Sequence, residues 1–173
     1  MAILPVLTAP DPRLKMKSKP VERVDDAVRR LMDDMLETMY AAPGVGLAAP
    51  QVGVARRVIV VDTAREGEPP NPLRLANPEI VWTSEEEAVC EEGCLSVPDQ
   101  YSEIARPKEV KIRYLDYENE IREVHATGFL ATCLQHEIDH LNGVLFIDRI
   151  SAVRRSIILR KLVKARKASV PAI

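Results

Sequence analysis

The chain has 173 residues, 46% apolar and 29% charged, which excludes a disordered chain and fits one globular domain over residues 1–173. A formal net charge of −2 excludes a chain that is basic throughout, of the kind that coats nucleic acid. No stretch has the roughly 18 uninterrupted apolar residues that span a membrane, and Met1-Ala2-Ile3-Leu4-Pro5 shows no basic region followed by a long apolar run. A soluble, cytoplasmic monomer is therefore expected, unless a transit peptide has been removed. Three cysteines, Cys90, Cys94 and Cys133, are an odd, small number that points to thiols kept reduced.

Residues 1–22 are Pro-rich and expected to be extended. A helix is predicted over 24–41. Asp25 and Asp26 suit its start, and Val24, Val28, Leu31, Met32, Met35, Leu36 and Met39 form one apolar stripe that reads as core. Pro43-Gly44-Val45-Gly46 ends that helix, and the stretch from Leu47 to Gly53 is too punctuated for another. The β-branched run 57–62 predicts a strand, followed by a polar loop over 65–72. A second strand is predicted over 75–82, with Pro78 demoting it to a sheet edge. Strands over 109–115 and 120–125 would form a hairpin through the polar residues 116–119. No repeat, low-complexity tract or linker is found.

Thr127, a predicted N-cap, and Gly128 open a helix carrying Gln135-His136-Glu137-Ile138-Asp139-His140. The pattern is H-E-x-x-H. Histidines at i and i+4 share a helix face and can reach one metal ion, and the glutamate between them can manage protons for a water activated there. Phe129, Cys133, His136 and His140 fall on one face, while Leu130, Leu134, Ile138 and Leu141 form a second face for the core. Gly143 suits the helix stop.

A hydrolytic metal site needs a third protein ligand and an open position. After His140 the chain has one acid, Asp148, and no His or Cys, and Phe146 stands where a metzincin would carry its third histidine. The third ligand must therefore lie upstream, among Cys90, Cys94, His125 and Cys133. Cys133 reads better as a pocket wall, and His125 as a structural residue. Cys94 follows a glycine and would complete a sulfur and two-nitrogen set suited to a divalent transition metal, with Cys90 its weaker rival.

Three segments together resemble the peptide deformylase family: Gly44-Val45-Gly46-Leu47-Ala48-Ala49-Pro50-Gln51, Glu92-Gly93-Cys94-Leu95-Ser96 and Gln135-His136-Glu137-Ile138-Asp139-His140. The likeness spans nearly the whole chain. It implies an α+β fold with antiparallel β-sheets around a central metal-binding helix, and flanking N-terminal and C-terminal helices. It also implies removal of the formyl group from the N-terminal formyl-methionine of nascent polypeptides. Cys94, His136 and His140 would hold one divalent ion, typically Fe²⁺, with Zn²⁺, Ni²⁺ or Co²⁺ as substitutes. Glu137 would carry the proton, and the Gln51 amide and Leu95 backbone N–H would donate to the oxyanion. Val45, Phe129 and Cys133 would wall the methionine pocket, and Gly46 and Gly93 would let the substrate backbone lie close as an added strand. Glu92 would orient a ligand or simply face solvent. Tyr101 stands where many bacterial members carry Arg, which leaves preference beyond methionine open.

From Arg149 to the end there are eight Lys/Arg and no acid, so the remainder of the chain carries about −10. The predicted last helix, 151–168, holds Arg154, Arg155, Arg160, Lys161, Lys164, Arg166 and Lys167, with Ile157, Ile158, Leu162 and Val163 to dock it. In related enzymes this helix binds the ribosome, and RNA contact is the expectation here. Two rival readings are an endopeptidase and a non-enzymatic ribosome-binding protein with a degenerate site.

Overall fold

A computed structural model describes residues 2–169 of the chain, and no side-chain account extends to Ala168 and Ser169. Helix α1 (Asp26–Ala41) starts where expected: Asp25 is its N-cap, and its carboxylate accepts a bond from the Val28 amide at 3.0 Å, a cap that contributes about 1 kcal/mol. Short strand β1 (Gly46–Ala48) and a 3-10 turn, Ala49–Val52, follow, and then β2 (Val58–Val61), β3 (Leu73–Thr83), β4 (Glu87–Cys94), β5 (Val97–Pro107), β6 (Glu109–Leu115) and β7 (Ile121–Thr127). Helix α2 (Gly128–Leu141), a 3-10 turn, Phe146–Arg149, and helix α3 (Ala152–Ser169) complete the chain.

All strand pairs are antiparallel, in a five-stranded sheet of order β1-β2-β3-β6-β7 and a separate β4-β5 hairpin. The large sheet lies between two helices, which explains why β2 is buried throughout rather than alternating. Val58 and Val60 pack against Met32, Met35 and Met39 of α1, while Ile59 and Val61 pack against Leu134, Ile138 and Leu141 of α2. A third cluster, with Leu14, Val97, Ile104 and Phe146, seats Ile158 and Leu162 of α3. The central H-E-x-x-H helix thus has strands on one side and the hairpin on the other.

The sequence expectations need correction in four places. First, β3 is no edge strand: β2 and β6 flank it. Pro78 is tolerated because it sits at a register shift between Ala76 and Glu79, where no ladder bond needs its missing N–H. Beside it Asn77 adopts a positive φ of 50°, and its side chain both donates to and accepts from the Val21 backbone. Second, β1, β4 and β5 have no counterpart among the predicted strands. The hairpin is rich in charge because much of one face meets solvent, so its apolar alternation is faint. Third, Ile157 and Val163 remain exposed at 39% and 38%, while Ile158 and Leu162, one turn apart, point inward with Leu159 packed beside them. Fourth, Thr127 has the extended backbone of an N-cap but makes no side-chain capping bond.

Candidate metal centre

The helical phase of α2 puts His136 and His140 one turn apart, with ring centroids 5.1 Å from each other, and both are buried. Cys94 arrives from the far end of β4, where a register shift at Gly93/Cys94 turns the chain into β5. Its Sγ lies 3.3 Å from His140 Nε2, and donor atoms of Cys94, His136 and His140 all lie within 4.8 Å of one another. Phe146 stacks beside His136, with centroids 6.2 Å apart. The other upstream sulfurs and imidazole lie outside this group: Cys90 is turned to the Glu91 carbonyl, Cys133 faces the cleft wall, and His125 pairs with Glu109 at 2.9 Å and meets Trp82 edge-on.

The charges around the three donors are ordered. His136 Nδ1 donates to Glu92 Oε1 at 2.9 Å, which turns Nε2 toward Cys94 and the space between the donors. Glu92 is itself buried, yet bonds from His136 and Arg106 outweigh burial and hold its carboxyl below the usual value. Burial opposes a charge on His136, but Glu137, Cys94 and Glu92 together push it well above the ordinary imidazole value. Burial, and then the His136 charge, push His140 well below it. Burial raises Glu137 to about 7, and its Oε1 is buried without a hydrogen-bond partner among the described residues. A soft sulfur, an oriented imidazole, a second imidazole held neutral and an adjacent orphaned carboxylate oxygen fit a divalent transition ion with an activated water beside it.

Cys94, Glu92, His136 and Glu137 line a cleft of about 540 Å³. Val45, Leu95, Phe129 and Cys133 line it, with Gly46, Gly93, Gln51 and Tyr101. Cys133 is a neutral wall, its thiol pushed far up by burial and then by Glu137. Gln51 comes from the 3-10 turn after β1; its Oε1 accepts from the Ala48 amide at 2.9 Å, and its Nε2 donates to Ser96 Oγ at 3.0 Å and stands 3.5 Å from Cys94 Sγ. The two glycines have local occupants. A β-carbon on Gly46 would collide with the Glu137 carboxylate, and one on Gly93 would lie 2.5 Å from the Tyr101 ring.

Sequence reasoning passed over Arg106 and Ser96, both buried beside the site. Arg106 could have been flagged by phase: Ser102, Ile104 and Arg106 alternate inward along β5, and an arginine in a buried register demands a carboxylate partner. Ser96 carried no such signal.

The polypeptide deformylase family model matches residues 3–156. A peptide deformylase of Phenylobacterium zucineum (strain HLK1) is 57% identical over 169 residues, covering 98% of this chain and 100% of that protein. One from Rhizobium meliloti (strain 1021) is 55% identical over 167 residues, covering 96% of each. The crystal structure of peptide deformylase from Ehrlichia chaffeensis superposes with a TM-score of 0.93 at 42% identity, covering 96% of this chain and 98% of that one. The complex of the Ehrlichia enzyme with actinonin gives a TM-score of 0.92 at 44% identity, covering 95% and 98%. With a family match over most of its length and relatives above half identity across nearly all of it, the chain belongs to the polypeptide deformylase family.

Proposed function

We propose that the chain removes the formyl group from the N-terminal formyl-methionine of nascent polypeptides, releasing formate, and that the cleft above α2 is where it does so. The observation that carries this reading is the meeting of Cys94, His136 and His140 beside the orphaned Glu137 oxygen. The three donors would hold one divalent ion, for which Fe²⁺ is the family's usual choice and Zn²⁺, Ni²⁺ or Co²⁺ the substitutes. When bound, such an ion supplies Lewis-acid polarisation and lowers the pKa of a water.

Glu137 takes the proton from the attacking water as the oxygen adds to the formyl carbon. Its carboxylate, buried beside the three donors with one oxygen unpartnered among the described residues, is placed both to accept and to return that proton. The developing oxyanion is met by the Gln51 amide, held by its bonds to the Ala48 amide and Ser96 Oγ, and by the Leu95 backbone N–H. As the carbon–nitrogen bond breaks, Glu137 passes the proton to the departing amine. Val45, Phe129 and Cys133 supply the apolar wall for the methionine side chain, and the backbone at Gly46 and Gly93 borders the path of the peptide. Glu92 keeps His136 oriented through the bond to Nδ1.

The whole chain acts as one catalytic domain and as a monomer in the cytoplasm. No helix among the described residues is long and apolar enough to cross a membrane. Helix α3, which extends past the end of the family match at residue 156, presents Arg154, Arg160, Lys161 and Lys164 to solvent and would dock on ribosomal RNA. Anaerobic purification with metal analysis, then a formate-release assay on a formyl-Met peptide, tests the proposal. Formate should appear in step with metal content and cease on chelation. Cleavage of an internal peptide bond without formate would favour an endopeptidase, and loaded protein with neither activity would favour a non-enzymatic role.

A further inference from the structure

Arg106 sits on β5 with 3% of its surface exposed, and it is not part of the cleft lining. Its Nε and Nη2 donate to Glu92 Oε2 and Oε1 at 2.6 and 2.9 Å, and its Nη1 donates to Asp139 Oδ2 at 2.9 Å. Glu92 Oε1 also accepts from His136 Nδ1. On the far side Arg149 donates from Nε and Nη2 to the two Asp139 oxygens at 2.7 and 2.8 Å. A file of alternating charge therefore runs from the imidazole to the surface: His136, Glu92, Arg106, Asp139, Arg149. The second imidazole has no comparable tether, since His140 Nδ1 is buried without a partner among the described residues.

Burying a guanidinium is costly, and deleting one member of such a set leaves an uncompensated charge in the interior. The fold tolerates that cost for a geometry that a guanidinium provides and an ammonium does not: a planar fork closing both oxygens of Glu92 while a further N–H reaches Asp139. Without the fork the Glu92 carboxylate is free to rotate, and the His136 ring loses the fixed acceptor that sets its tautomer and tilt.

We propose that Arg106 is a positioning residue of the metal centre: its fork, braced by Asp139, locks Glu92 so that His136 keeps its proton on Nδ1 and directs Nε2 at the ion. This inference rests on His136 being a metal ligand. The test is titration of metal-free protein with Co²⁺, following the visible ligand-field bands, with circular dichroism as the check on folding. Arg106→Met is expected to bind Co²⁺ about 10- to 100-fold more weakly and with displaced bands. Arg106→Lys, which keeps the charge but not the fork, is expected to weaken binding in the same direction. Glu92→Gln should weaken it as well, and the Arg106→Met/Glu92→Gln pair should be no weaker than Glu92→Gln alone, because the arginine acts through that carboxylate. If Arg106→Met does not fold, Arg106→Lys and Asp139→Asn carry the test, both expected below wild type. Wild-type Co²⁺ affinity and bands in Arg106→Lys, or additive losses in the double variant, would overturn the proposal. A His136→Ala protein that binds Co²⁺ as tightly as wild type would instead overturn the ligand assignment beneath it.

Discussion

Gly46 stands directly against the Glu137 carboxylate, with no room for a β-carbon between them. β1 and α2 approach so closely here that the acid is held from the strand side by bare backbone. Gly46→Ala should therefore move the carboxylate rather than unfold the sheet. The expected result is a fall in kcat for formate release of about 100-fold or more, the scale of one misplaced acid–base group, with metal content unchanged. A Gly46→Ala enzyme of wild-type kcat would contradict the assignment.

Glu137 couples activity to stability. Burial raises its folded pKa to about 7, above that of an unfolded carboxylate, so the group contributes stability at low pH that is lost as pH rises through about 7. Glu137→Gln has no charge to bury. In the metal-free state it should be more stable than wild type at pH 8, on the order of 2 kcal/mol, with the gap closing toward pH 5. Urea unfolding at both pH values measures this, and the same variant should lose about 100- to 10,000-fold in activity.

Gln51 serves three groups at once, accepting from the Ala48 amide, donating to Ser96 Oγ and facing Cys94 Sγ. Gln51→Leu should cost about 100- to 1,000-fold in kcat, the scale for one lost oxyanion donor. It should also cost about 1–3 kcal/mol in stability, because the Ala48 amide is left buried and unpaired. Kinetics and chemical denaturation separate the two effects; a loss of stability alone would limit Gln51 to a structural part.

Charge reversal at Arg154, Arg160 and Lys164 should weaken ribosome co-sedimentation and flatten its salt dependence. Formate release from a short formyl-Met peptide should not change, since α3 lies away from the cleft lining. Arg155 is left out because it approaches Asp148 at 3.6 Å. Unaltered sedimentation would remove the ribosome from the list of partners.

Local periodicity is a property of the chain itself, and it carried much of the fold. The apolar stripe of α1, the β-branched run of β2, the β6-β7 hairpin and the shared face of His136 and His140 all follow from spacings of two, three or four residues along one segment. Those patterns, with three motifs in order, were sufficient to indicate family, reaction and a ligand set. Tertiary structure decided what depends on residues far apart in sequence. It placed Pro78 inside the sheet at a bulge, gave Gly46 to the Glu137 carboxylate and Gly93 to the Tyr101 ring, and joined Glu92, Arg106 and Asp139 behind His136. The physical reason is that burial and pairing of charge depend on which segments meet. A buried arginine reads as a surface residue until the carboxylates that close around it are known.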